Sequence, residues 1–169
     1  VGYQALQDLV DGDKNTAVGY QAFANLVTAG STGGTAVGYQ AGTAITSGGY
    51  NTIMGRKALG TATTAANNIA IGDSAMVYTP AGVAITACIA IGGSAMGDTS
   101  ALTTDANGTI AIGSGALNTL SQGQYNTAIG YEALGAIKKE DKNTAVGYQA
   151  LKAMSGSIDA GENTAVGYL

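Results

Sequence analysis

An all-β fold, a repetitive parallel β-roll or β-solenoid, is predicted for residues 1–169 as one continuous repeat region, and three observations predict it. A nine-residue phrase close to N-T-A-V-G-Y-Q-A-L recurs from end to end. Its glycines stand 17 to 21 residues apart, far below the roughly 33 residues of helix-pair repeats and near the coil length of β-solenoids. Finally, Gly, Thr and β-branched residues fill the phrase where a helix would want Ala, Leu, Glu or Lys.

The glycines anchor ten copies: Gly2, Gly19, Gly38, Gly55, Gly72, Gly92, Gly113, Gly130, Gly147 and Gly167. A β-branched residue precedes each of them, from Val1 through Ile71 to Val166, with Met54 the exception, and this slot favours a strand. Three residues after each of the first nine stands Ala, from Ala5 to Ala150 without exception. Segments of 8 to 12 residues separate one phrase from the next, and they carry all the variation in length. Most have an apolar third residue (Leu9, Leu26, Ile45, Leu120, Ile137, Met154) and then a turn-forming run such as Asp11-Gly12-Asp13 or Ser47-Gly48-Gly49, which predicts a short return strand and a turn. The glycines are expected to stack in one column at the 4.7–4.9 Å spacing of paired strands.

From four residues before each glycine to the glycine itself no copy carries a charge; four charges stand just after an anchor glycine, within two places (Arg56, Lys57, Asp73, Glu132), and the rest lie in the return segments, which predicts a wet side there. Within the strand, Thr144 and Val146 share one face while Ala145 and Gly147 share the other. Both faces are uncharged, and such strands are usually covered on both sides, whereas a coil this thin covers only one. A second copy is expected over the other, most simply in a parallel homotrimer, intertwined or side by side.

Composition narrows the function. There is no His and no Trp, one Cys, seven basic and eleven acidic residues, so most routes to general acid–base, metal and thiol chemistry are closed. No enzyme, no catalytic residue, no cofactor and no metal are expected. A net charge of −4 gives no electrostatic reason to bind nucleic acid or an anionic membrane. The most apolar stretch, 81–93, is shorter than the roughly 20 residues of a spanning helix, so no membrane insertion is expected of it. Cys88 alone cannot form an intrachain disulfide.

The strand phrases Asn68-Ile69-Ala70-Ile71-Gly72 and Ile110-Ala111-Ile112-Gly113 resemble the head repeats of trimeric autotransporter adhesins. Closer in wording are the N-T-A-V-G-Y-Q-A-L arrays of tail-fibre proteins of tailed bacteriophages, which Asn143 to Leu151 is similar to letter for letter and Asn15 to Phe23 nearly so. The resemblance covers nearly the whole chain. It implies a trimeric parallel β-roll in an extracellular fibre, located in the virion or at a cell surface, with no catalytic residues. The chain starts and stops inside a repeat and is expected to be a piece of a longer fibre chain. The leading expectation is a structural and adhesive module of a phage tail fibre that supports host-surface recognition, with itself and a cell-surface glycan or protein receptor as partners. The alternatives are the head of a bacterial trimeric surface adhesin and another extracellular β-solenoid filament. A solenoid enzyme would need clustered carboxylates with basic groups or a His.

Among candidate sites, Tyr3, Tyr20, Tyr39, Tyr131, Tyr148 and Tyr168 follow their glycines directly and would form an aromatic ladder, either ring on ring or as a platform for sugars. Asn15, Asn51, Asn68, Asn126, Asn143 and Asn163 share one slot and are expected to hydrogen-bond along the axis, with Cys88 as a buried occupant of the same slot. Asp11-Gly12-Asp13 lacks the further ligands of a calcium loop. Ser114-Gly115 and 30–34 fit neither phosphate-loop pattern and read as turns, and the sequon Asn107-Gly108-Thr109 is expected by chance. The longest return segments, 77–87, 97–108 and 152–162, are where recognition would be built if this stretch carries any; the first two coincide with the copies in which Tyr gives way to Asp73, Gly93 and Ser114. Decoration, with the receptor tip elsewhere, is the plainer reading of that bulge.

Overall fold

Every interior copy of the phrase forms a three-residue strand ending just before its glycine. In the computed structural model, which describes residues 1–27, 32–97, 102–103, 106–153 and 161–169, these strands are β1 (Thr16–Val18), β2 (Thr35–Val37), β3 (Thr52–Met54), β4 (Ile69–Ile71), β5 (Ile89–Ile91), β6 (Ile110–Ile112), β7 (Thr127–Ile129), β8 (Thr144–Val146) and β9 (Thr164–Val166). They make one parallel sheet in sequence order. The chain is therefore a β-solenoid, each coil adding one strand.

Register is identical at every step, residue against its counterpart, whether the coil is 17 residues long (Ile110 opposite Thr127) or 21 (Ile89 opposite Ile110). Extra residues are thus absorbed entirely on the return side. The reason is steric: a Cβ on any anchor from Gly2 to Gly147 would lie closer than 3.0 Å to the backbone of the next anchor, so the glycines stack Cα over carbonyl and lock the coils in phase.

The middle residue of each interior strand (Ala17, Ala36, Ile53, Ala70, Ala90, Ala111, Ala128, Ala145) points into the coil and is buried. Facing it is the wall made by the Ala three places after the glycine and the residue behind it, Leu59, Met76, Met96, Leu117 or Leu134. The single Phe, Phe23, is accommodated by missing side chains: a Cβ on Gly42 or Gly34 would strike its ring. One apolar row runs the length of the interior, made mostly of Ala, and each large side chain is buried by the coils above and below it as well as by its own.

The return leg differs from the expected strand. Leu26, Ile45, Leu120 and Ile137 are buried core residues, but each only closes the turn before it, as where Ile45 N–H donates to Gly42 (3.1 Å), and outside the named strands the described residues show only the isolated bridges Ser47–Thr64 and Ala66–Thr86. Met154 lies outside the described residues. What bends the chain is a set of left-handed residues at fixed places: the second and fourth after the glycine (Gln21 at φ 53°, Phe23 at 49°; Glu132 and Leu134 both at 50°) and the one before the Asn slot (Lys14 at 61°, Lys142 at 55°). Each costs about 1–2 kcal/mol in an L-residue. Axial backbone hydrogen bonds at the same residues offset that cost: Gln21 N–H donates to Tyr3 (2.8 Å), Phe23 N–H to Ala41 (3.0 Å) and Lys142 N–H to Gln124 (2.9 Å). An extended return strand would remove the corner that positions those donors.

Candidate functional site

Four columns run along the axis, three built from one slot of the phrase each and the fourth from two. The tyrosines after the glycines form two stacks, Tyr3–Tyr20–Tyr39 and Tyr131–Tyr148–Tyr168, with ring centroids 5.0–5.4 Å apart and planes 10–15° off parallel. The rings are exposed, so they stack on one another with an edge open to solvent. Between the stacks the slot holds Arg56, Asp73, Gly93 and Ser114. Arg56 and Asp73 replace ring contact by a bidentate ion pair, Nε to Oδ1 at 2.6 Å and Nη2 to Oδ2 at 2.9 Å.

The Asn slot is internal at Asn51, Asn68, Asn126 and Asn143 and opens to solvent only at the terminal copies, Asn15 and Asn163. Asn68 donates its backbone N–H and its Nδ2 to Asn51 Oδ1 (3.1 and 3.2 Å); Asn143 does the same to Asn126 (2.9 and 3.2 Å) and Asn163 to Asn143 (both 3.0 Å). The second Nδ2 hydrogen goes to a return-leg carbonyl, as from Asn51 to Ala65 (2.7 Å) and from Asn126 to Glu140 (2.7 Å). One side chain thus ties strand entry, neighbouring coil and return leg together, leaving these buried amides satisfied. At the first copy, Asn15 Oδ1 accepts from Gly34 N–H (2.9 Å). Cys88 fits the same role: its N–H donates to Asn68 Oδ1 (3.0 Å) and its thiol to Ala106 (3.2 Å). Burial pushes that thiol above its ordinary pKa, keeping it protonated and unreactive.

The sequence reading did not single out a third column, the Gln two places after the glycine. Gln40 donates to Gln21 (2.9 Å) and Gln21 to Gln4 (2.7 Å), an amide chain whose only sequence signal is that Gln follows each of Tyr3, Tyr20 and Tyr39. Further along, Glu132 takes this slot and receives Gln149 (2.6 Å) and Lys152. These two hydrogen bonds, Lys152 first, hold the Glu132 carboxyl below its ordinary range, and the carboxylate raises Lys152 in turn. A lowered acid contributes stability above its unfolded pKa and loses it as pH falls through the folded one; a raised amine loses it only at high pH. The melting difference between the parent and Lys152→Gln is therefore expected to stay level from about pH 5 to pH 9 and to shrink below about pH 4. Because both groups are partly open to solvent, the difference should be small and smaller still in 0.5 M salt.

The charges of the return legs are not all wet, as the sequence reading had them. Glu140 is buried, its Oε2 accepting the backbone N–H of Lys138 and of Lys139 at 2.8 Å each, so the turn's own donors hold the carboxylate. Asp11-Gly12-Asp13 gathers no further ligand, and among the described residues no three His, Cys, Asp or Glu side chains come together as a metal would require. Ser114-Gly115 lies in the turn after the Gly113 corner. Residues 30–31 and the middles of the 97–108 and 152–162 segments lie outside the described residues.

The fourth column is a face. The first and third residues of all nine strands point away from the core, and none is charged. Its centre, β4 to β6, carries only isoleucine: Ile69, Ile71, Ile89, Ile91, Ile110 and Ile112, each partly exposed. Among the described residues no helix is long and apolar enough to cross a membrane. The chain matches no protein-family model, no curated protein and no solved structure.

Proposed function

We propose that the chain is a structural and adhesive module of an extracellular fibre, of the phage tail-fibre kind, and that three parallel copies close around an axis through their strand faces. The observation that carries this is the uncharged outer face of the nine-stranded sheet, with six isoleucines at its centre. A row of apolar side chains held in one register along a sheet is self-complementary, and it keeps apolar surface in water until it is covered. The in-phase glycine column supports the same reading, because coils that cannot shift along one another make a stiff rod suited to bearing load.

The three successive Ile-Ala-Ile-Gly strands favour, as a second reading, the head of a bacterial trimeric adhesin, which shares the assembly and differs in what anchors it. Sedimentation equilibrium of the chain tests both: a mass three times 16.6 kDa is expected, and a stable monomer at micromolar concentration overturns the trimer.

A further inference from the structure

On the side of the coil after the glycine corner lies a groove of about 600 Å³, spanning the coils anchored at Gly38, Gly55, Gly72 and Gly92. Toward the two ends of this side polar side chains pair from coil to coil, the Gln4–Gln21–Gln40 amides at one and the Glu132–Gln149–Lys152 group at the other, where a second, mainly apolar hollow opens beside the last coil. Between them the floor is backbone. Gly60 and Gly97 stand five places after their anchors, and a Cβ on Gly97 would lie closer than 3.0 Å to the Ser74 carbonyl oxygen, so no larger residue closes the gap.

The groups left in the groove are unmatched. Asp73 answers the charge of Arg56, but Lys57, exposed beside it, makes no ion pair among the described residues. Gln40 donates an amide N–H to Gln21, and its Oε1, the end of the amide chain, accepts from no donor among the described residues. The Ser94 hydroxyl likewise makes no hydrogen bond there, and Tyr78 lines the rim half exposed. One cation, one carbonyl acceptor, a hydroxyl and an aromatic ring along one polar trough match a sugar acid. The carboxylate would sit on the Lys57 ammonium, the ring hydroxyls on Gln40 and Ser94, and the apolar ring face on Tyr78.

We propose that this groove binds a carboxylated saccharide. The choice of a saccharide rests on the fibre reading; the groove and its unmatched groups do not. The test is calorimetric titration of the whole chain with two probes, tetragalacturonate and α-2,8-linked trisialic acid, and with the fully methyl-esterified, uncharged form of each. Saturable binding of at least one acid is expected, with its ester and the Lys57→Gln variant each about tenfold weaker. Tyr78→Ala should weaken it severalfold, while Lys138→Gln, outside the groove, should leave it unchanged. Circular dichroism checks that the exposed substitutions leave the fold intact. No binding of either acid, or equal binding by parent and Lys57→Gln, overturns the proposal. The mass of the same samples separates the two ideas: an intact trimer without binding overturns the groove alone, and a monomer with Lys57-dependent binding overturns the trimer alone.

Discussion

Gly113→Ala is expected to destabilise the protein by on the order of 3–5 kcal/mol and to lower the melting temperature by roughly 10 °C. Two effects add. Gly113 sits at φ +132°, a conformation that L-residues rarely adopt, and its new Cβ would lie closer than 3.0 Å to the carbonyl of Gly130. Nothing flexible is available to move, because that carbonyl belongs to the next turn of the same column. Relief would mean parting the coils where Gly113 N–H bonds Ile91 and Gly130 N–H bonds Ile112, both at 2.7 Å. Gly82→Ala is the control: φ is also positive, at +82°, but nothing lies within 4 Å, so only the conformational cost of about 1 kcal/mol should appear. Scanning calorimetry of the two variants decides the matter. If Gly113→Ala melts no lower than Gly82→Ala, the glycine column does not hold the coils in phase.

If three copies close through this face as proposed, Ile91→Lys is expected to leave the chain monomeric with its coil folded. Ile91 lies on β5, the middle strand, on its outer face, so the core beneath is untouched. In a closed trimer three lysines would meet in one apolar seam, each an uncompensated buried charge costing about 3–5 kcal/mol. Ala90, one residue earlier, points inward and is fully buried, so Ala90→Lys should instead unfold the coil. Sedimentation velocity with circular dichroism separates the two variants. A trimeric Ile91→Lys would place the seam elsewhere than on this sheet face.

Much of the architecture was legible because a repeat makes each residue its own neighbour. In a parallel, in-register stack the contacts of Gly72 are Gly55 and Gly92, so a glycine in every copy is a statement about a column. The inward Ala and the outward Thr, Val and Ile follow from strand alternation in the same way. The Asn slot could be read because an amide carries both donor and acceptor and can satisfy the copy above and the copy below.

The path between the anchors was not legible. A return strand was the natural expectation for segments with an apolar third residue, but the chain turns through left-handed residues such as Gln21, Phe23 and Lys14, types with no preference for that basin. Their conformation is imposed by axial hydrogen bonds that exist only once neighbouring coils are in place. Glu140 is buried for a related reason, since the donors that hold it belong to a turn defined by the stack.

The period, the register, the Gly, Tyr and Asn columns and the charge-free face could thus be read from the sequence, because these depend on what residues are and how often they recur; the Gln column could not. The tertiary structure alone decided the corner conformation, the pairing of Arg56 with Asp73 and the groove that leaves Lys57, Gln40 and Ser94 unmatched. Those features depend on distances between successive coils where the copies differ, and unlike residues stacked on one another follow no repeat rule; their contacts are set only when the coils close.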